Sequence, residues 1–117
     1  MYKISTRPFD LQTIYNLILN QKSVDISEDS ISKIKECRAY LERKIADSKV
    51  PIYGINTGFG ALCNIKVSNE NLKKLQANLV RSHACGTGAL VPQSVIKLML
   101  LLKIKALCFG HSGVQLK

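Results

Sequence analysis

Tryptophan is absent from the 117 residues, aromatic side chains make up 6% of them, and three prolines occur. So sparse a set of rings argues against a platform for single-stranded nucleic acid, which stacks successive bases on interleaved aromatics. The four cysteines, at 37, 63, 85 and 108, form no Cys-x-x-Cys pair. The first residues also lack the apolar stretch of a secretion signal, so reduced thiols are expected rather than a disulfide framework. Long hydrophobic runs are missing too. The longest, Val95 to Phe109, is broken by Lys97, Lys103 and Lys105 and is too short to span a bilayer. Acidic residues are scarce, 8 against 17 basic ones, giving a formal charge of +9. The basic residues are dispersed, however, so a solvated basic face is expected rather than a nucleic-acid site. These absences together lead us to expect a cytoplasmic globular protein with no membrane segment and no nucleic-acid partner.

What is present reads as mainly α, with short extended segments and one glycine-rich loop. After a short extended start, Leu11, Ile14, Tyr15 and Ile18 recur at helical spacing, and this stripe predicts a helix of about three turns. Residues 23–27 are long enough for a small strand or turn. Ser27 or Ser30 caps a second helix running to about Asp47, with Ile31, Ile34, Leu41 and Ile45 along one face. Val50-Pro51 ends it, because the residue before proline is pushed out of the α region. Cys63 to Val67 is expected to be extended. Ser68 or Asn69 then caps a third helix with Leu72, Leu75 and Leu79 inward, stopped near His83 by Gly86-Thr87-Gly88. Pro92 is expected in the first turn of a last helix that is apolar on nearly every side from Val95 to Leu107. A helix of that kind needs burial all round, and the preceding helices can cover one or two of its faces. We therefore expect residues 1–117 to be the N-terminal domain, or part of it, of a larger helical chain, with no internal boundary.

The chemistry-bearing stretch is Tyr53-Gly54-Ile55-Asn56-Thr57-Gly58-Phe59-Gly60. Its three glycines predict a loop, and functional side chains concentrate on loops held by rigid neighbours. It is no phosphate cradle: neither Gly54 to Gly60 nor Gly86-Thr87-Gly88 completes a Walker A or dinucleotide fingerprint. Tyr53 is the candidate base, although an ordinary phenol titrates near about 10 and needs cations or oriented donors to be useful at neutral pH. On composition alone, Tyr53 reads as a packing tyrosine and His83 as a satisfied helix-end histidine rather than a ligand. His83-Ala84-Cys85 and Cys108-Phe109-Gly110-His111 supply zinc-type ligands at spacings foreign to zinc sites, and no metal is expected.

Three motifs in order carry a resemblance. Pro51 to Gly60, then Leu75-Gln76-Ala77-Asn78-Leu79-Val80-Arg81-Ser82-His83-Ala84-Cys85-Gly86-Thr87-Gly88, then Gly110-His111-Ser112-Gly113-Val114, resemble the aromatic amino-acid ammonia-lyases over residues 50–115. The resemblance implies the N-terminal part of a large all-α lyase fold. It implies that Tyr53 is the general base taking the substrate β-proton, and that Gly54, Asn56, Thr57, Gly58, Phe59 and Gly60 form the active-site loop. His83 falls where the family reads the substrate side chain, and its Ser-His-Ala context leans towards L-histidine, with tyrosine lyases or aminomutases as the alternative. The implied prosthetic group is a methylidene-imidazolone formed from Ala-Ser-Gly, a tripeptide these 117 residues lack. It is expected beyond Lys117, so this chain alone is expected to be inactive. A homotetramer with shared active sites is implied as well. The chain departs from the family at Lys103, Lys105 and Gln115, where Arg, Asn and Arg are common. The competing readings are an inert interaction module and a basic nucleic-acid binder.

Overall fold

The computed structural model describes residues 1–20, 22–47 and 50–116. Its contacts cluster into two compact units, Met1–Arg43 with Leu90–Lys117, and Lys44–Ala89.

The first unit begins with two three-residue strands, β1 (Tyr2–Ile4) and β2 (Val24–Ile26), paired in parallel with Tyr2 opposite Val24 and Ile4 opposite Ile26. Between them runs α1 (Leu11–Leu19), capped by Asp10, whose carboxylate accepts the Thr13 N–H at 2.6 Å. The expected stripe of α1 is rotated. Leu11 and Tyr15 are exposed, and Leu17 is the buried residue, flanked by half-buried Ile14 and Ile18. Six of its nine residues are apolar, which leaves two overlapping faces, and packing selects the one centred on Leu17.

Helix α2 (Glu28–Asp47) starts after Ser27, whose hydroxyl accepts the Ser30 N–H at 3.3 Å. Ile34 is its buried apolar residue, with Ile31 and Leu41 half-buried on the same face, as the periodicity predicts. Helix α4 (Gln93–Leu107) has Pro92 at its N-cap rather than inside the first turn. Proline suits that place as well, because no helical hydrogen bond needs its missing N–H there.

The core of this unit is Ile4, Leu17, Leu101 and Cys108, with Tyr2, Phe9, Ile18, Ile26 and Ile104 packed around it. Helix α1 covers one side of α4. Met99 and Leu100 remain 60% and 58% exposed, in keeping with the expectation that this chain covers few of the helix's faces. Lys105 donates to the Ser5 and Arg7 carbonyls and stands 5.0 Å from the Phe9 ring and 5.2 Å from the Phe109 ring. Lys105 thus ties the segment after β1 to α4. Sequence reading missed that tie.

The second unit contains the glycine-rich stretch, a 3-10 turn at Gly60–Leu62, a second at Asn69–Asn71, and α3 (Leu72–His83). Leu72, Leu75 and Leu79 are the half-buried residues of α3, as its spacing predicts. Ser68 precedes the 3-10 turn, and Asn71 takes the N-cap of the α-helix proper. Residues 63–67 are not a strand. The Cys63 N–H donates to the Gly60 carbonyl and the Ile65 N–H to the Leu62 carbonyl, which curls the segment into turns. Lys66 alone makes a bridge, antiparallel to Thr57.

Candidate active site

Hydrogen bonds within residues 52–67 and one bridge build the loop that presents Tyr53. The Asn56 side chain accepts the Ile52 N–H at 2.6 Å, while the Asn56 N–H donates back to the Ile52 carbonyl at 3.1 Å. The Asn56 carbonyl in turn accepts the Val67 N–H at 2.8 Å, and the Gly58 N–H donates to Ile65. Asn56 and Thr57 are therefore fully buried polar residues with their demands met, Thr57 through its hydroxyl on the Gly58 carbonyl at 2.9 Å. Satisfied buried polar groups rigidify a segment that has no hydrophobic core of its own.

Two glycines are required by this geometry. Gly54 has φ +74°, a left-handed conformation that side chains disfavour, and it lets the chain turn immediately after Tyr53. At Gly58 the reason is space: a Cβ there would lie 2.6 Å from the Leu62 Cβ and 2.8 Å from its carbonyl oxygen.

Tyr53 itself is 64% exposed, and its ring meets Phe59 edge-on at 6.1 Å. Its hydroxyl has no hydrogen-bond partner among the described residues. The phenol is thus held through its ring against Phe59 and through its backbone.

His83 closes α3. Its Nδ1 lies 2.8 Å from the Leu79 carbonyl oxygen and 3.1 Å from the Ser82 hydroxyl, which donates to the same carbonyl at 2.8 Å. Tyr53 and His83 belong to the same compact unit. No hydrogen bond or ring contact joins them among the described residues. The sequence reading used Ser82 as context for His83 and missed its contacts with the Leu79 carbonyl and the His83 ring.

Of the zinc-type residues, His83 and Cys85 lie in this unit and Cys108 and His111 in the other. Cys85 is exposed, whereas Cys108 is fully buried and its thiol is pushed above its ordinary value by that burial. The neighbouring Ser30 hydroxyl and the Lys105 charge offset part of the rise. Among the described residues, no group of three or more His, Cys, Asp and Glu side chains is placed to hold a metal ion.

The chain is thus mainly helical, with a glycine-rich loop bearing an exposed Tyr53 and a histidine at the end of α3. The family profile described as aromatic amino acid lyase matches residues 9–117, and the chain belongs to that family. It is 45% identical over 107 residues to the histidine ammonia-lyase of Legionella pneumophila subsp. pneumophila (strain Philadelphia 1), covering 92% of this chain and 21% of that protein. Among solved structures it resembles the histidine ammonia-lyase of Trypanosoma cruzi, with a TM-score of 0.85 at 29% identity over 98% of this chain and 22% of that one. It also resembles the tyrosine aminomutase of Streptomyces globisporus, with a TM-score of 0.86 at 29% identity over 97% of this chain and 21% of that one. The chain thus spans about a fifth of the length of the relatives it matches.

Proposed function

We propose that this chain is the N-terminal part of an ammonia-lyase that eliminates ammonia from L-histidine to give urocanate. The observation that carries the reading is the 45% identity to a histidine ammonia-lyase across 92% of the chain. In this proposal Tyr53 is the general base, the loop of Gly54, Asn56, Thr57, Gly58, Phe59 and Gly60 presents it, and His83 binds the substrate ring.

The division of labour follows from acidity. A β-carbon proton is far less acidic than a phenol, so a tyrosine base needs help from an electrophile that draws the amine away. In the family that help is the methylidene-imidazolone group. No Ala-Ser-Gly occurs in this sequence, so these residues cannot form it, and its chemistry enters from outside the chain. The residues present would bind the ring, hold the β-carbon near the Tyr53 oxygen and, once Tyr53 has given its own proton to solvent and stands as the phenolate, accept the β-proton. The free, outward Tyr53 hydroxyl supports that role, because a buried or internally bonded phenol could not reach a ligand.

The complete enzyme would be a cytoplasmic homotetramer with active sites shared between subunits. Likeness to tyrosine aminomutases supports a second reading, in which the ring recognised is a phenol. Assay of the complete protein with L-histidine and L-tyrosine separates the two. Urocanate and ammonia from L-histidine alone are expected, and turnover of L-tyrosine with none of L-histidine would overturn the first reading.

A further inference from the structure

Three polar atoms at the end of α3 form a closed triangle. The Ser82 hydroxyl and the His83 Nδ1 each lie 2.8 Å from the Leu79 carbonyl oxygen and 3.1 Å from one another. A carbonyl oxygen can accept a hydrogen bond but never donate one. Two acceptors at that separation with no proton between them repel, so Nδ1 carries a hydrogen and donates it to Leu79. With its own proton on the carbonyl, the Ser82 oxygen turns lone pairs towards the same Nδ1–H. Both neighbours therefore favour one tautomer.

In a neutral imidazole, one nitrogen donates and the other accepts. With Nδ1 protonated, Nε2 holds the lone pair. The ring is exposed, and Nε2 has no hydrogen-bond partner among the described residues.

We infer that His83 reads its ligand as a hydrogen-bond acceptor: Nε2 takes a proton donor from the substrate's ring, and the Leu79 carbonyl with the Ser82 hydroxyl sets that polarity. The inference rests on the proposal that His83 faces the substrate side chain. It makes the residue a filter for rings that carry an N–H or O–H. An imidazole can turn its N–H to Nε2. A bare phenyl offers nothing, and a ring bearing only a lone pair sets acceptor against acceptor. Sites built to hydrogen-bond a substrate group discriminate strongly against analogues lacking it. Ser82 is a positioning residue in this scheme, acting through His83.

Nitrogen spectra of the full chain, labelled with 15N, test the tautomer directly. The chain has two histidines, so His111→Gln assigns the ring signals. The neutral His83 ring is expected to show its hydrogen on Nδ1 and a lone-pair resonance at Nε2. Ser82→Ala is expected to move it towards the Nε2–H form that prevails in free histidine. An Nε2–H spectrum for the unsubstituted chain overturns the inference.

Recognition is tested in the complete enzyme with two competitive analogues, a pyrrolylalanine carrying only a ring N–H and a thiazolylalanine carrying only a ring lone pair. The pyrrole is expected to bind roughly tenfold tighter, a preference that shrinks in Ser82→Ala. Equal affinity, or tighter binding of the thiazole, overturns it. Failure of both rings and of L-histidine to bind removes the functional reading and the recognition with it, whereas an Nε2–H spectrum with L-histidine still bound removes this inference alone.

Discussion

The two units are held together by different kinds of interior. Met1–Arg43 with Leu90–Lys117 contains every buried hydrophobic side chain among the described residues: Ile4, Leu17, Ile34, Leu101 and Cys108. Lys44–Ala89, which bears both Tyr53 and His83, buries Asn56 and Thr57 instead. Hydrophobic burial is non-directional and tolerates small shifts, whereas a hydrogen-bonded frame holds its members at fixed distances and angles. The unit assigned the chemistry is thus the one organised by directional bonds, and the other supplies the apolar core. Substitutions should separate the two cleanly, and four of them test whether they do.

The largest effect is expected at Tyr53. In the complete enzyme, Tyr53→Phe should lower turnover by about 100- to 10,000-fold, the range typical of a lost general base. The ring contact with Phe59 survives the change and the hydroxyl had no partner to lose, so thermal unfolding should shift by less than about 0.5 kcal/mol. Turnover measured beside a melting curve checks both halves. Near-normal activity would end the role given to Tyr53, and a large loss of stability would show that the phenol belongs to the frame rather than to the chemistry.

Leu101→Ala is the corresponding blow to the apolar interior. Leu101 is 6% exposed in a cluster with Ile4, Leu17 and Cys108, and its truncation should cost about 2–5 kcal/mol in urea unfolding. Asn56→Ala should cost less, about 1–3 kcal/mol, because it strands the half-buried Ile52 N–H that its side chain now satisfies. Hydrogen exchange distinguishes the pair. The Asn56 variant should lose protection at Ile52 and Val67 while the amides of α1 and α4 keep theirs, and Leu101→Ala should do the reverse. Loss of protection everywhere in either variant would mean that the two interiors are not separable.

How much of this could be read beforehand follows the same division. The inward faces of α2 and α3 were legible, because Ile31, Ile34 and Leu41, and then Leu72, Leu75 and Leu79, stand among polar neighbours with one possible period. In α1 the signal was ambiguous, since apolar residues fill both of its candidate faces. The pairing of β1 with β2 was out of reach, because three-residue strands carry no alternation to read. The loop itself was legible from its glycines. The burial of Asn56 and Thr57 was not, as polar side chains in a glycine-rich stretch look solvated until their backbone partners at Ile52, Gly58 and Val67 are known. His83 was found through resemblance, and its tautomer could come only from the Leu79 carbonyl one helical turn away.

The smallest effect lies in a device both units share. Asp10 and Asn56 each use a side-chain oxygen to accept a backbone N–H, of Thr13 and Ile52 respectively. Asp10 can be protonated, and the Asn56 amide cannot. The Thr13 hydrogen bonds hold the Asp10 carboxyl below its ordinary value. A depressed carboxyl contributes its stability above the unfolded value, near about 3.9, and loses it as pH falls through the lower folded one. Below about pH 4, the protection factor of the Thr13 amide, taken against the intrinsic rate at each pH, should therefore fall towards its uncapped value while that of Ile52 stays unchanged. Asp10→Asn should keep the cap and abolish the acid response. An acid response that persists in Asp10→Asn, or that appears equally at Ile52, would mean that acid reaches the chain through some other carboxylate and that the cap is not what titrates.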